Sequence, residues 1–193
     1  MTDVSVQQPA ERPNSRALPP WLSTAQPWVS LVLRLALGII WLAAALPKIT
    51  DVDGNVRSVR VYELGVPDVV NQVIGIGQPF LELLLGLLLI VGVATRWVSA
   101  FSGLVFLIFI GGIASAWARG LRIDCGCFSK GGQLAAGADP AYLQEIVRDS
   151  GFLLIAVLLV IWPLSKFSVD ALLRRFSVTA ADLEDGDDDE ENV

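Results

Sequence analysis

The 193-residue chain is 53% hydrophobic with a mean hydropathy of +0.58, more apolar side chain than a soluble domain of this size can cover, so composition puts it in a membrane class. Its net charge of −6 resides largely in the stretch Glu184 to Glu191, which leaves no basic face to neutralise phosphates and argues against a nucleic-acid partner. Histidine is absent and Met1 is the sole methionine, which excludes His-based acid–base catalysis and His or Met haem ligation and argues against zinc; two cysteines cannot supply an iron–sulfur cluster from one chain.

Taken in chain order, residues 1–27 are polar and proline-rich (Pro9, Pro13, Pro19, Pro20, Pro27) and read as a disordered tail. The first spanning segment is Trp28 to Pro47. Alanines 43–45 resemble a signal-peptide cleavage site, but the long leader and Arg34 inside the apolar run count against that reading. A polar stretch from Lys48 to Asn71 precedes the second span, Pro79 to Ala94, begun about a turn earlier. A Thr95–Trp97 link leads to the third span, Val98 to Ala118. Residues 119–149 form a polar loop, and Gly151 to Leu164 is the fourth span. Asp139 and Pro140 read as an N-cap and first helical residue, starting a helix that runs into the membrane.

These segments predict an all-α membrane protein, a four-transmembrane-helix bundle over residues 28–167, followed by an acidic tail over 168–193. Both termini then share one side. Basic residues are nearly balanced across the two sides, so the positive-inside rule is almost silent. Lys166, Arg174 and Arg175, just after the last span, favour cytoplasmic termini. The polar loop then faces an extracytoplasmic, oxidising compartment of the cell membrane. The tryptophans mostly lie near span ends, as an interfacial belt would have them, and Gly103, Gly111 and Gly112 read as close-packing positions in the third helix.

The chemistry concentrates in that loop. Cys125 and Cys127 are the two cysteines, separated by Gly126. In an extended segment residues i and i+2 share a face, with Cα atoms near the upper limit for a disulfide, and glycine between them lets the backbone close the gap. A bridge this short encloses almost no loop, so it adds little stability and is strained enough to be exchangeable. Arg119, Arg122, Lys130 and Arg148 flank the pair and would favour a thiolate, with Asp124 opposing them. The alternatives are incidental loop thiols or a two-thiolate site for a soft metal.

Two ionisable residues interrupt the apolar runs, Arg34 and Glu82. Such groups are costly unless they face the bundle interior. Gln78, Glu82 and Gly86 recur at i, i+4 and i+8, giving the second helix one polar, closely packable face. Counting along the helices sets Glu82 within two turns of the loop and Arg34 nearer the opposite surface, so Lys48 or Arg119 is the expected partner of Glu82. Glu82 reads either as a structural clamp or as a proton acceptor coupled to thiol oxidation.

With those residues placed, a resemblance is visible. The stretch Arg34 to Asp51, with its arginine, glycine and terminal lysine, resembles the first helix of DoxX-like membrane proteins. Tyr62, Pro67, Pro79 and Glu82 resemble the pattern of the MauE branch, the methylamine-utilisation membrane proteins. The loop Arg119 to Gly132 is similar to that branch's cysteine loop, with Ser129 where glycine is usual, and Arg148–Asp149 matches the start of its last helix. The resemblance covers residues 30–165 and implies a four-helix protein linked to disulfide chemistry of extracytoplasmic proteins, including maturation of methylamine dehydrogenase.

The expected function is therefore a membrane thiol–disulfide redox component. Cys125, Cys127 and Glu82 carry the chemistry, with Arg34, Lys48, Gln78, Arg119 and Arg148 in support. Its expected partners are membrane lipid, a thioredoxin-fold or DsbA-like redox protein, and a larger oxidoreductase complex of the kind DoxX relatives join. No bound cofactor is expected, and a quinone is a candidate electron acceptor. The rival is a non-enzymatic assembly or soft-metal relay subunit.

Overall fold

The structure is a computed structural model that describes residues 20–125, 131–134, 138–163 and 168–170; Cys127, Lys130, residues 1–19 of the N-terminal tail and 171–193 of the acidic tail lie outside them. Five helices and one two-stranded ladder follow in order: α1 (Pro20–Ile49), α2 (Val52–Arg60), α3 (Asp68–Val91), α4 (Thr95–Ala118), β1 (Ile123–Asp124), β2 (Gly132–Gln133) and α5 (Tyr142–Ile161).

α1 and α3 run antiparallel and in close contact. A Cβ on Gly86 would stand 3.0 Å from the Gly38 carbonyl oxygen, and one on Gly38 would stand 3.2 Å from that of Gly86. Two glycines facing each other let the backbones approach as no larger pair would. Trp41, from the middle of α1, fills the space beside this crossing. Its ring stacks on Phe106 with centroids 4.6 Å apart, and its indole N–H donates to Ser102 Oγ at 3.1 Å. Leu37, Leu85, Leu89, Val105 and Leu159 complete the core. Trp41 is therefore a core residue, not part of an interfacial belt. Nor do Gly111 and Gly112 mark a tight crossing: a Cβ on Gly111 would meet nothing within 4 Å, and one on Gly112 only Tyr62 at 3.8 Å.

Several boundaries differ from expectation. α1 starts at Pro20 rather than Trp28, and α3 at Asp68, well before Pro79. Pro79 cannot donate to the carbonyl four residues back, which would break an isolated helix. Here that carbonyl, Gly75 O, accepts instead from Asn55 Nδ2 at 2.7 Å. Asn55 belongs to α2, a helix inside the stretch read as merely polar. Asp51 caps it, accepting from Gly54 N–H at 2.9 Å. α5 starts at Tyr142 without a side-chain cap, and Asp139 pairs with Arg122 at 3.6 Å rather than capping. The ladder β1–β2 was also not anticipated; it pairs Ile123 with Gln133 and Asp124 with Gly132, antiparallel.

Among the described residues, three helices are long and apolar enough to cross a membrane: Ala25–Ile49, Asp68–Val91 and Thr95–Ala118. α5 carries Glu145, Arg148 and Asp149 in its first half and is not among them. It packs along α4, with Leu153 and Ala156 against Gly103. The bundle has two distinct ends. At one, Ser30 Oγ donates to Trp162 O at 2.8 Å, and the α3–α4 turn is held by Asp170, whose carboxylate accepts from Ala94 and Thr95 N–H at 2.8 and 2.9 Å. At the other lie Lys48, α2, the ladder and Tyr142.

Candidate functional site

Cys125 directly follows β1, and the Cys-Gly-Cys segment joins β1 to β2. Cys125 is 9% exposed and packs with Ile113, Ala116, Ile123 and Tyr142. Two tyrosines fix it. The Tyr62 hydroxyl donates to the Cys125 carbonyl at 3.1 Å. The Tyr142 hydroxyl donates to Leu121 O and accepts from Ile123 N–H at 3.2 Å, holding the strand that leads into the cysteine.

The Cys125 thiol lies beside the Glu145 carboxyl, close enough to act on its protonation. Glu145 stands at the start of α5, ahead of the apolar run that begins at Gly151. Burial pushes its carboxyl above the ordinary carboxylate range; the neighbouring thiol and the Arg148 charge pull the other way, and the charges of Asp124 and Asp149 reinforce the rise. The second oxygen, Oε2, is buried with no hydrogen-bond partner among the described residues. A carboxylate poised to accept the thiol proton, with its own affinity for that proton raised by burial, suits acid–base work.

Among the described flanking cations, Arg119 and Arg122 donate to backbone carbonyls, and Arg148 pairs with Asp149 while its charge also reaches Glu145. Arg119 donates to Tyr62 O at 2.6 Å, Glu63 O at 2.9 Å and Ser115 O at 3.2 Å, pinning the α2–α3 loop to the end of α4. Arg122 donates to Ala138 O at 2.6 Å, and Arg148 Nε pairs with Asp149 at 3.0 Å. Arg119 thus holds the backbone of Tyr62, whose hydroxyl donates to the Cys125 carbonyl. Beside these cations the structure places the Glu145 carboxyl near the thiol.

Below Cys125 lies a cavity of about 170 Å³. Its polar lining comes from Asn55, Ser58, Tyr62, Gln78 and Cys125, and Gly112 and Ile113 of α4 form part of its back wall. Gln78 Nε2 donates to Glu82 Oε1 at 3.0 Å, and the same oxygen receives Lys48 Nζ at 2.6 Å. The Lys48 and Glu82 side chains are 2% and 0% exposed. Lys48, not Arg119, is thus the partner of Glu82, and Gln78 joins this pair to the cavity beneath Cys125.

Arg34 is not part of this assembly. Its guanidinium lies against the α3–α4 turn, where a Cβ on Gly92 would collide with Nη1, and the Asp170 carboxylate is its nearby counter-charge. Fourteen residues separate it from Lys48 on α1, about 20 Å of helix. Cys127 lies outside the described residues.

Tyr142 and Glu145 are absent from the set read from the sequence. The available signal was Glu145 and Asp149 at i and i+4, two acids on one face of a helix entering an apolar run at the cysteine end. What no sequence pattern conveys is that α5 brings that face against the residue after β1.

The profile of the family described as methylamine utilisation protein MauE matches residues 26–162. A curated relative, methylamine utilization protein MauE of Paracoccus denitrificans, is 33% identical over 110 residues, covering 55% of this chain and 57% of that protein. The chain thus spans little more than half the length of that relative. No solved structure matches. The matched region takes in α1 from Gln26, the Lys48–Glu82 pair, Cys125 and Glu145, and all but the end of the last apolar run, and the chain belongs to the MauE family of membrane proteins, linked to methylamine utilisation.

Proposed function

We propose that the protein is a membrane thiol–disulfide exchanger in which Cys125 and Cys127 cycle between dithiol and disulfide, with Glu145 accepting the Cys125 proton. The observation that supports this is a buried thiol set beside the half-buried Glu145 carboxyl, whose Oε2 has no hydrogen-bond partner among the described residues, at one end of an apolar bundle. An incidental thiol needs no such partner, whereas a thiol that must become a nucleophile needs a base. Glu82, saturated by Lys48 and Gln78 on one oxygen, is the anchor of this end of the bundle rather than its base.

In this reading the apolar run of α5, from Gly151, is the fourth membrane span. α5 runs the height of the bundle alongside α4, and Leu154, Val157 and Ile161 are exposed on its outer face. Four spans put both termini on one side. The Cys-Gly-Cys loop then lies on the extracytoplasmic side of the cell membrane, where an oxidised pair persists. Its client is a thioredoxin-fold protein, and the family link makes a methylamine-utilisation enzyme the final recipient of the disulfide.

The test is thiol trapping of the purified full-length protein equilibrated in glutathione buffers of set potential, with Cys125→Ser and Cys127→Ser as controls. The expected result is a single two-electron transition, and a mixed disulfide with glutathione in either single variant. Thiols that stay reduced throughout, or a stoichiometric Cu(I) complex without any exchange, would overturn the reading in favour of a soft-metal relay.

A further inference from the structure

The chain carries one thiol pair, so electrons taken from it must leave through a group that the protein does not itself supply. The cavity beside Cys125 has the properties of the place where they leave. Its volume, about 170 Å³, compares with the roughly 150 Å³ of an apolar protein cavity that takes up one benzene ring. Its lining includes Ile74 of α3 and Ile108 of α4, which are 41% and 61% exposed on two helices apolar enough to span, the side a membrane would cover.

Inside, beside Ser58, Tyr62 and Cys125, two amides present polar atoms to a wall that is otherwise apolar. Asn55 spends one N–H on Gly75 O and Gln78 spends one on Glu82. Each amide nitrogen has a second hydrogen. A ligand suited to this space is one flat apolar ring with oxygen acceptors on its edge and an apolar tail leaving through the rim. It must also be able to take two electrons.

We propose that this cavity binds the ring of a lipid-soluble quinone, held by Asn55 and Gln78 next to Cys125. The inference rests on the thiol-exchange reading above. In the reaction the Cys125 and Cys127 S–H bonds break and one S–S bond forms. The quinone takes up the two electrons and two protons and leaves as hydroquinone. Glu145 relays the proton of Cys125.

The full-length protein in lipid nanodiscs is tested with decylubiquinone, whose fully substituted ring has no open position for thiol addition. In a Cys127→Ser background, decylubiquinone is expected to protect Cys125 from maleimide labelling. Leucine at Gly112 should abolish that protection. Its Cβ is tolerated, since Tyr62 is 3.8 Å away, and the rest of the side chain fills the cavity. Ile108→Trp obstructs the exposed rim without touching the core and should do the same. Gly111→Leu, on the same helix where a Cβ meets nothing within 4 Å, should leave protection intact.

With both cysteines present, one hydroquinone should appear for each pair of thiols lost. Absence of both protection and quinone-driven oxidation, in a protein that still exchanges with glutathione disulfide, overturns the quinone site and leaves the thiol-exchange reading standing. Equal loss in Gly111→Leu and Gly112→Leu overturns it as a packing artefact of the helix. Failure to react with either glutathione disulfide or decylubiquinone overturns both readings.

Discussion

If Glu145 is the base for Cys125, the two titrate as a coupled pair, and coupling leaves a signature in pH. With one proton shared between them, a fixed fraction of molecules carries thiolate beside neutral carboxyl wherever the pH lies between the two pKa values. Alkylation of Cys125 in a Cys127→Ser background should therefore flatten on the acid side of its profile. In Glu145→Gln it should fall about tenfold per pH unit throughout, the behaviour of a lone thiol of pKa near 8.5. Parallel profiles would remove Glu145 as the base. Because burial raises the Glu145 carboxyl, its contribution to stability is full below the ordinary carboxylate value and is lost as pH rises through the raised one. Glu145→Gln should thus gain stability relative to the native protein on the alkaline side of that window, measured by denaturation at pH 5 and pH 8.

The Lys48–Glu82 pair makes a second prediction at this scale. Lys48→Met strands a buried carboxylate and should cost about 3–5 kcal/mol, whereas Lys48→Met combined with Glu82→Leu should recover most of that loss. If the double variant still supports thiol oxidation, Glu82 is a structural clamp. Counting turns narrowed its partner to Lys48 or Arg119, because α1 and α3 are both regular and the distance from each helix end is fixed by rise per residue; the structure decides for Lys48. The placement of Glu145 beside Cys125 was not legible, because a loop and a two-stranded ladder intervene and neither has a countable period.

At the scale of elements, α1 and α3 are held by glycine rather than by interdigitating side chains. Gly86→Ala places a methyl 2.8 Å from Leu42 Cδ2 and 3.0 Å from the Gly38 carbonyl. The helices must separate, at a cost of about 1–3 kcal/mol. Gly77→Ala, in the same helix with nothing within 4 Å, should instead be neutral or stabilising by up to about 1 kcal/mol. Comparing thermal unfolding of the two in detergent separates packing from helix propensity. Helix α2 shows why element boundaries escaped the sequence. Its stability depends on Val56 against Gly75 and on Asn55 satisfying the carbonyl that Pro79 leaves open. Both contacts cross twenty residues of chain, and the local sequence of α2 is polar on its exposed side.

For the whole molecule, the consequential question is which face of the membrane carries Cys125. A membrane-impermeant maleimide applied to intact cells should label Cys125 and Cys127 only after reduction, and a cysteine introduced at Asp170, at the opposite end beside the α3–α4 turn, should stay unlabelled until the cells are opened. The reverse pattern would invert the orientation and place the thiols in a reducing compartment. Labelling of both ends from outside would mean that α5 does not cross and that three spans divide them. The exposed apolar residues around the bundle, from Ile39 and Leu46 on α1 to Leu104 and Leu107 on α4, are what a lipid environment covers.

Hydrophobicity and its interruptions, read along the chain, determine that this protein is a bundle of apolar helices, that its thiols sit together in a polar loop, and that Glu82 must find a buried cation. These properties follow from local composition, since a run of apolar residues has the same solvent preference whatever packs beside it. Only the tertiary structure decides that Tyr62, Tyr142 and Glu145 converge on Cys125, and that α2, α3 and α4 leave a cavity beneath it. Those contacts join residues as far apart as 63 positions. Their energy is realised only when distant segments meet, so no window of sequence contains them.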